Sequence, residues 1–273
     1  GFDLMGHWQP YSSMTRYADD PLVLGTVMAL IVLGGIGFFV WDDIAKNQWH
    51  FRNYTLQTKV VLTTTALLLI LPFLWFWLCE FVHWNGMSTG KQALSALFQT
   101  VSPRTAGFNN VDLNQLSGGS KLLTILLMLV GGSPSSTAGG IKTTTLAILL
   151  LALRAAFTSD HQVHCFGRRI PAQVITRTLV VSVLYGTLFL VASMALIQLE
   201  PVTMEEALFE CASAIGTVGL TLGITPELGA VSKGILILLM YLGRVGGLTL
   251  VYAVSGTGKR LHYTLPEESI GIG

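Results

Sequence analysis

The residues whose types and spacing could do chemistry form two short turns, Thr105-Ala106-Gly107-Phe108 and Thr217-Val218-Gly219-Leu220. Each places Thr-X-Gly after a compact helical stretch (91–100 and 204–214) and before a polar segment and a long apolar one. Glycine in such a turn admits backbone angles that aim successive carbonyls at one axis. A short helix that stops inside a membrane adds its negative C-terminal end at the same point. Aimed carbonyls can replace the hydration shell of a cation. The chemistry expected is therefore ion coordination rather than bond-making. The two glycines lie 112 residues apart, and Gly1-Phe2-Asp3-Leu4 repeats the second half of the motif 106 residues before Gly107. A period this long marks a duplicated domain, not a solenoid.

Such turns need apolar helices around them, and the composition supplies these. Only 11% of residues are charged and 51% are hydrophobic, with a mean hydropathy of +0.61. Soluble domains carry about 25% charged residues, so the chain reads as an all-α polytopic membrane protein. A net charge of +1 without a basic tract gives no footprint for nucleic acid. Cys79, Cys165 and Cys211 read as small buried hydrophobes. His161, His164 and Cys165 lack the second cluster that a metal site needs.

About 20 apolar residues span a bilayer core. Segments 21–41, 60–82, 174–199 and 235–254 reach that length. A fifth is split into 122–130 and 141–153. Lys and Arg are denser in the connectors 42–59 and 154–177 and in the tail 256–273 than on the opposite face. Those connectors are expected to be cytoplasmic, with the turns entering from outside. Thr217-Val218-Gly219 also matches the start of the potassium-channel filter sequence, a weak signal that the duplication strengthens. The chain begins inside a motif, without the helices that should precede it, and is expected to be the C-terminal portion of a longer protein.

Two interruptions lie deeper. Gly131-Gly132-Ser133-Pro134-Ser135-Ser136-Thr137-Ala138-Gly139-Gly140 is small and polar within a span, and Pro134 with the glycines prevents a continuous helix. It is expected to be a movable constriction, hence a gate, and otherwise a static kink. Arg244 is expected in the middle of the last span. A charge there costs at least ~2.5 kcal/mol on insertion scales, so it should face protein or water. It would be an electrostatic barrier or a tether for the loop. Asp3, Asp112 and Glu227 follow the three turns, with Asn109 beside the second, and are expected at an outer mouth where carboxylates concentrate cations. Solvated loop residues are the alternative. An intramembrane hydrolase using Ser133, Ser135 or Ser136 lacks a base, because no His lies within the spans. A non-conducting scaffold subunit would leave the turns and Arg244 without a purpose.

At these residues the chain resembles the Trk/Ktr/HKT superfamily of K+ transporters, and within it the membrane subunit of bacterial Ktr systems. The resemblance rests on Ser102-Pro103-Arg104-Thr105-Ala106-Gly107-Phe108-Asn109, on 132–145 and on Gly243-Arg244. It implies M1–pore helix–M2 units in a pseudo-fourfold array around a pore. Residues 1–54 would complete the second unit, 55–155 form the third and 156–258 the fourth with its connector, before a tail at 259–273. It further implies that Gly1, Gly107 and Gly219 are filter glycines, that 131–140 is the intramembrane gating loop and that Arg244 faces it. K+ would be the transported ion in a multi-pass protein of the plasma membrane, with coupling to Na+ left open and a Na+-selective HKT-type member as the nearest alternative. The resemblance also implies a homodimer on a cytoplasmic nucleotide-binding ring of the KtrA/TrkA type, and no organic cofactor. Ala138 stands where a loop glycine is usual, and Gly247 where a proline is common.

Overall fold

The computed structural model describes residues 2, 12–48, 50–84, 86–158 and 162–246. Gly1, Asp3, Gly247 and the tail lie outside them. Helix α1 (Pro21–Ile36) begins where Asp20 caps Leu22 N and Val23 N, with Pro21 at the first helical position. Segment 21–41 carries Gly25, Gly34, Gly35 and Gly37, which allow close helix packing or a bend, and the chain bends. At Gly37, with φ +96°, the chain turns by 90° into α2 (Phe38–Asn47). Next, α3 (Leu56–Trp75) is continued by wider and tighter turns as far as His83. The short α4 (Thr89–Val101) follows, then α5 (Gly118–Leu129) and α6 (Thr143–Phe157) on either side of the 131–140 loop.

The second half has the same order. Long α7 (Ala172–Leu199) leads to short α8 (Met204–Ile215) and then α9 (Ala230–Val245). Helices α5 and α9 start 112 residues apart, the same interval that separates the two turn glycines. Among the described residues, α3 with its continuation and α7 are long and apolar enough to cross a membrane, and the bent α1–α2 pair is a third candidate.

The second connector and the last apolar segment each carry a feature of their own. In the connector 154–177, β1 (His164–Cys165) pairs antiparallel with β2 (Arg168–Arg169). Phe166 (φ +48°) and Gly167 (φ +71°) supply the left-handed pair that a two-residue hairpin turn needs. The last apolar segment, expected to span over 235–254, is interrupted at Gly246, and residues 247–254 lie outside the described residues. Helix α9 ends at Val245, and Gly246 leaves it with φ +88°. Arg244 therefore lies in the last helical turn, where the negative end of the helix dipole favours a cation.

The main core gathers α5, α7, α8 and α9 around buried Phe209, Cys211, Met128, Leu196 and Leu236. Leucines and isoleucines such as Leu67, Ile70 and Leu71 on α3 and Met194 on α7 stay exposed, as lipid-facing side chains do. Small residues dominate where backbones meet. A Cβ on Gly216 would collide with Met128 O, and one on Gly243 with Ile215 O.

A carboxylate stands at the C-terminal end of each long helix and caps the helix that follows the turn. Glu80 accepts from Ser117 N (3.0 Å) and Ser117 Oγ (2.5 Å), at the start of α5. Glu200 accepts from Gly229 N (2.8 Å) and Ser232 Oγ (2.6 Å), at the start of α9. These bonds hold the Glu200 carboxyl below the ordinary carboxylate range, Ser232 contributing most. On α8, Thr203 and Glu206 form a reciprocal capping box, and Lys121 of α5 pairs with Glu205 at 2.7 Å.

Candidate functional site

The two turns adopt the same unusual backbone. Thr105 and Thr217 both have left-handed φ, +66° and +52°, and Gly107 and Gly219 follow at +81° and +99°. A β-branched residue with positive φ is strained, and such strain persists only where the surroundings over-determine it. Here the bracing is visible. Val218 N donates to Ser213 O (2.8 Å) and Gly219 N to Ser213 Oγ (3.0 Å). In the first turn Ala106 N and Gly107 N both reach Ser102 O, while Ser102 Oγ donates to Phe108 O. The turns abut, since a Cβ on Gly107 would collide with Val218 O. Glycine at 107 is thus required by both φ and space.

The 131–140 loop is ordered and closed at its base. Gly131 N donates to Ile141 O (2.9 Å), Ile141 N to Leu129 O (3.2 Å) and Thr143 N to Gly132 O (3.1 Å). Ser133 is buried against Thr143 Oγ1 at 3.1 Å. The loop docks on the break between α1 and α2. Carbonyls freed there need donors, and the loop provides most of them. Ser133 N reaches Gly35 O (2.9 Å), while Thr137 Oγ1 reaches Gly34 O (3.3 Å); in return Phe38 N donates to Ser135 O (3.0 Å). Trp41 Nε1 takes the third freed carbonyl, Leu33 O, at 3.0 Å.

Loop and turns meet at one place. A cavity of about 400 Å³ is lined by Thr105, Thr217, Val218 and Gly219 of the turns, Thr137 of the loop and Arg244 of α9. Arg244 Nη1 donates to Thr137 O. Gly139 fits so closely under Thr217 that any Cβ would strike its hydroxyl.

Of the residues expected at an outer mouth, Asp3 lies outside the described residues. Glu227 is exposed, and Asp112 caps a short turn by accepting from Asn114 N at 3.0 Å. Asn109 is not a mouth residue. It is buried, its N donates to Ser13 Oγ, its O accepts from Met14 N, and its amide donates to Val111 O. A buried amide beside a strained turn needs internal partners, and it finds them in the neighbouring chain.

Sequence reasoning missed Ser213, which braces the second turn, and Glu210, fully buried behind it. Glu210 accepts from Thr225 Oγ1 at 3.0 Å and from Thr221 Oγ1. Its signal was legible, because a carboxylate midway along a short helix that buries most of its residues has to find internal donors. Lys142, part of the 132–145 motif, donates from Nζ to Ala138 O at 2.6 Å.

The profile of a cation transport protein family, TrkH, matches residues 1–258. The chain belongs to the TrkH family of cation transport proteins. Its members are transporters rather than enzymes, which sets aside a hydrolytic role for the loop serines. Among its relatives are the potassium/sodium uptake protein NtpJ of Enterococcus hirae, 39% identical over 100% of this chain and 61% of that protein, and the Ktr system potassium uptake protein B of Vibrio alginolyticus, 38% identical over 96% and 58%. The chain thus spans about three-fifths of the length of these TrkH-family relatives. The crystal structure of the potassium transporter TrkH from Vibrio parahaemolyticus matches with a TM-score of 0.77 at 21% identity, covering 91% of this chain and 55% of that one. That likeness gives the fold, while the family of cation transport proteins and the apolar helices make this a membrane protein.

Proposed function

We propose that this TrkH-family chain belongs to a K+ uptake protein in which the Thr-X-Gly turns form part of a selectivity filter and the 131–140 loop closes the path beneath it. The observation that carries the reading is the 400 Å³ cavity, where both turns, Thr137 and Arg244 face the same space. Helices α4 and α8 end at the turns, so their carbonyl ends favour a cation there. Residues of the filter would be Thr105, Ala106, Gly107, Thr217, Val218 and Gly219, with Gly1 in the same role outside the described residues. The repeated order of long helix, short helix, turn and apolar helix supports M1–pore helix–M2 units around one pore. Arg244 would hold the loop shut and repel cations that arrive too early.

The names of the relatives support K+ as cargo and leave Na+ as a partner or competitor. The plasma membrane, a homodimer and a nucleotide-binding regulatory ring follow from the family resemblance and belong to the same proposal.

The test is Rb+ and Na+ uptake, with K+-limited growth, in a bacterium deficient in K+ uptake that expresses the full-length protein. Rescue is expected, and Gly219→Ser should cut K+-over-Na+ discrimination by about tenfold, ~1.4 kcal/mol. Na+ uptake without K+ rescue would move the reading to a sodium-selective transporter. Transport of neither ion by well-expressed protein, with a nucleotide-binding partner supplied, would leave a scaffold.

A further inference from the structure

Two cations hold successive carbonyls of the loop, and only one of them faces the proposed ion path. Arg244, from the last turn of α9, donates to Thr137 O and lines the 400 Å³ cavity with Thr105 and Thr217. Lys142, immediately before α6, donates to Ala138 O at 2.6 Å. It lines a different cavity, of about 420 Å³, between the loop, α6 and α7, with Pro134, Ile148 and Val174 among its walls. Neither cavity has an Asp or Glu among its described lining residues. The Thr137–Ala138 segment is therefore gripped by two charges, with no Asp or Glu among the described residues that line either cavity.

An ammonium at this depth is costly unless it finds protein or water, and pairing with a backbone carbonyl is one way it does so. An uncharged residue would avoid that cost, so the Ala138 bond has to be considered for what it holds. Ala138 O lies on the limb of the loop that returns to α6 through Gly139, Gly140 and the bridge at Ile141. A cation entering the 400 Å³ cavity repels Arg244 directly and weakens its grip on Thr137. Lys142 does not line that cavity, so its bond is not one that a cation there meets directly.

We infer that Lys142 is a positioning residue for the loop. Its bond to Ala138 O fixes the returning limb on α6, so that only the Thr137 side, held by Arg244, yields when a cation passes. The inference rests on the reading that the loop closes the path. It makes the loop a flap hinged at Ala138, with Arg244 as latch and Lys142 as hinge pin.

The experiment compares Rb+ uptake by full-length protein carrying Lys142→Met, Lys142→Arg or Arg244→Met, each normalised to membrane expression. Lys142→Met should raise resting uptake several-fold with the K+/Na+ ratio unchanged, and Lys142→Arg should restore the wild-type rate. A side chain needed only for packing would not give this split between rate and selectivity, nor rescue by charge. Alongside, a cysteine at Ser135, in a background without Cys79, Cys165 and Cys211, should react faster with a water-soluble maleimide when Lys142 is Met. Should that variant fail to accumulate, Lys142→Gln is read in the same two ways. Unchanged uptake and unchanged labelling would overturn the assignment, as would a Lys142→Arg protein that behaves like the Met variant. If Arg244→Met raises uptake while the Lys142 variants do not, only the hinge role fails. If neither substitution alters uptake, the gate reading fails with it.

Discussion

At the scale of single residues, strain and charge sit where the proposed site needs them. Thr105 and Thr217 keep left-handed φ because the chain around Ser102 and Ser213 braces each turn from behind. Each such residue costs about 1–3 kcal/mol, so the bracing is what makes the turns persist. Glu200 shows a purely structural use of charge. Its carboxylate accepts from Gly229 N and Ser232 Oγ, which lowers its pKa below the ordinary 4.5. A depressed carboxylate pKa stabilises the fold above the unfolded value, and the benefit is lost as pH falls through the folded one. We expect the gap in thermal unfolding midpoint between wild type and Glu200→Gln, in detergent, to be present near neutral pH and to close as the pH drops below 4.5. A gap that is independent of pH would mean that Glu200 contributes no such linkage.

Among elements, the decisive event is the break between α1 and α2. The 90° turn at Gly37 frees the carbonyls of Leu33, Gly34 and Gly35, and each has a donor, two of them from the loop. The break and the loop therefore complete one another. Gly37 has φ +96°, and a Cβ there would lie 2.6 Å from Pro134 O. Gly37→Ala is expected to destabilise the protein by about 1–3 kcal/mol, the cost of a forced left-handed residue plus a displaced loop. The readout is the unfolding midpoint, together with maleimide labelling of a cysteine at Ser135, which should speed up. An unaltered midpoint and labelling rate would show that the loop does not depend on the bend.

For the whole molecule, the loop reads as a plug held by three neighbours: α1–α2 through Gly34 and Gly35, α6 through Lys142, and α9 through Arg244. Its base is stitched by Gly131 N to Ile141 O, so residues 132–139 can be replaced by a short glycine linker without cutting α5 from α6. That replacement is expected to raise Rb+ uptake several-fold and to leave K+/Na+ discrimination as it was, because no residue of the proposed filter is touched. Uptake that stays level or falls in protein that elutes as a folded species would remove the gate from the proposal.

Sequence by itself determined the helix inventory and the positions of the turns, since apolar runs, short amphipathic helices and Thr-X-Gly motifs are local patterns. It also placed the 131–140 interruption, because Pro134 and its glycines exclude a continuous helix whatever surrounds them. Tertiary structure decided the rest. Four glycines between 25 and 37 allow a bend anywhere, and only the loop's donors select Gly37. The end of α9 at Val245 was hidden because the apolar pattern runs on to 254, whereas Gly246 turns the backbone away. Asn109 looked like a mouth residue because a polar side chain after a filter turn reads as solvent-facing. Its burial follows from partners at Ser13 and Met14, almost a hundred residues away. Lys142 and Arg244 likewise meet on neighbouring carbonyls only when α6 and α9 pack around one loop. Hydrogen bonds between segments distant in the chain have no local signature, and these are the bonds that assemble the site.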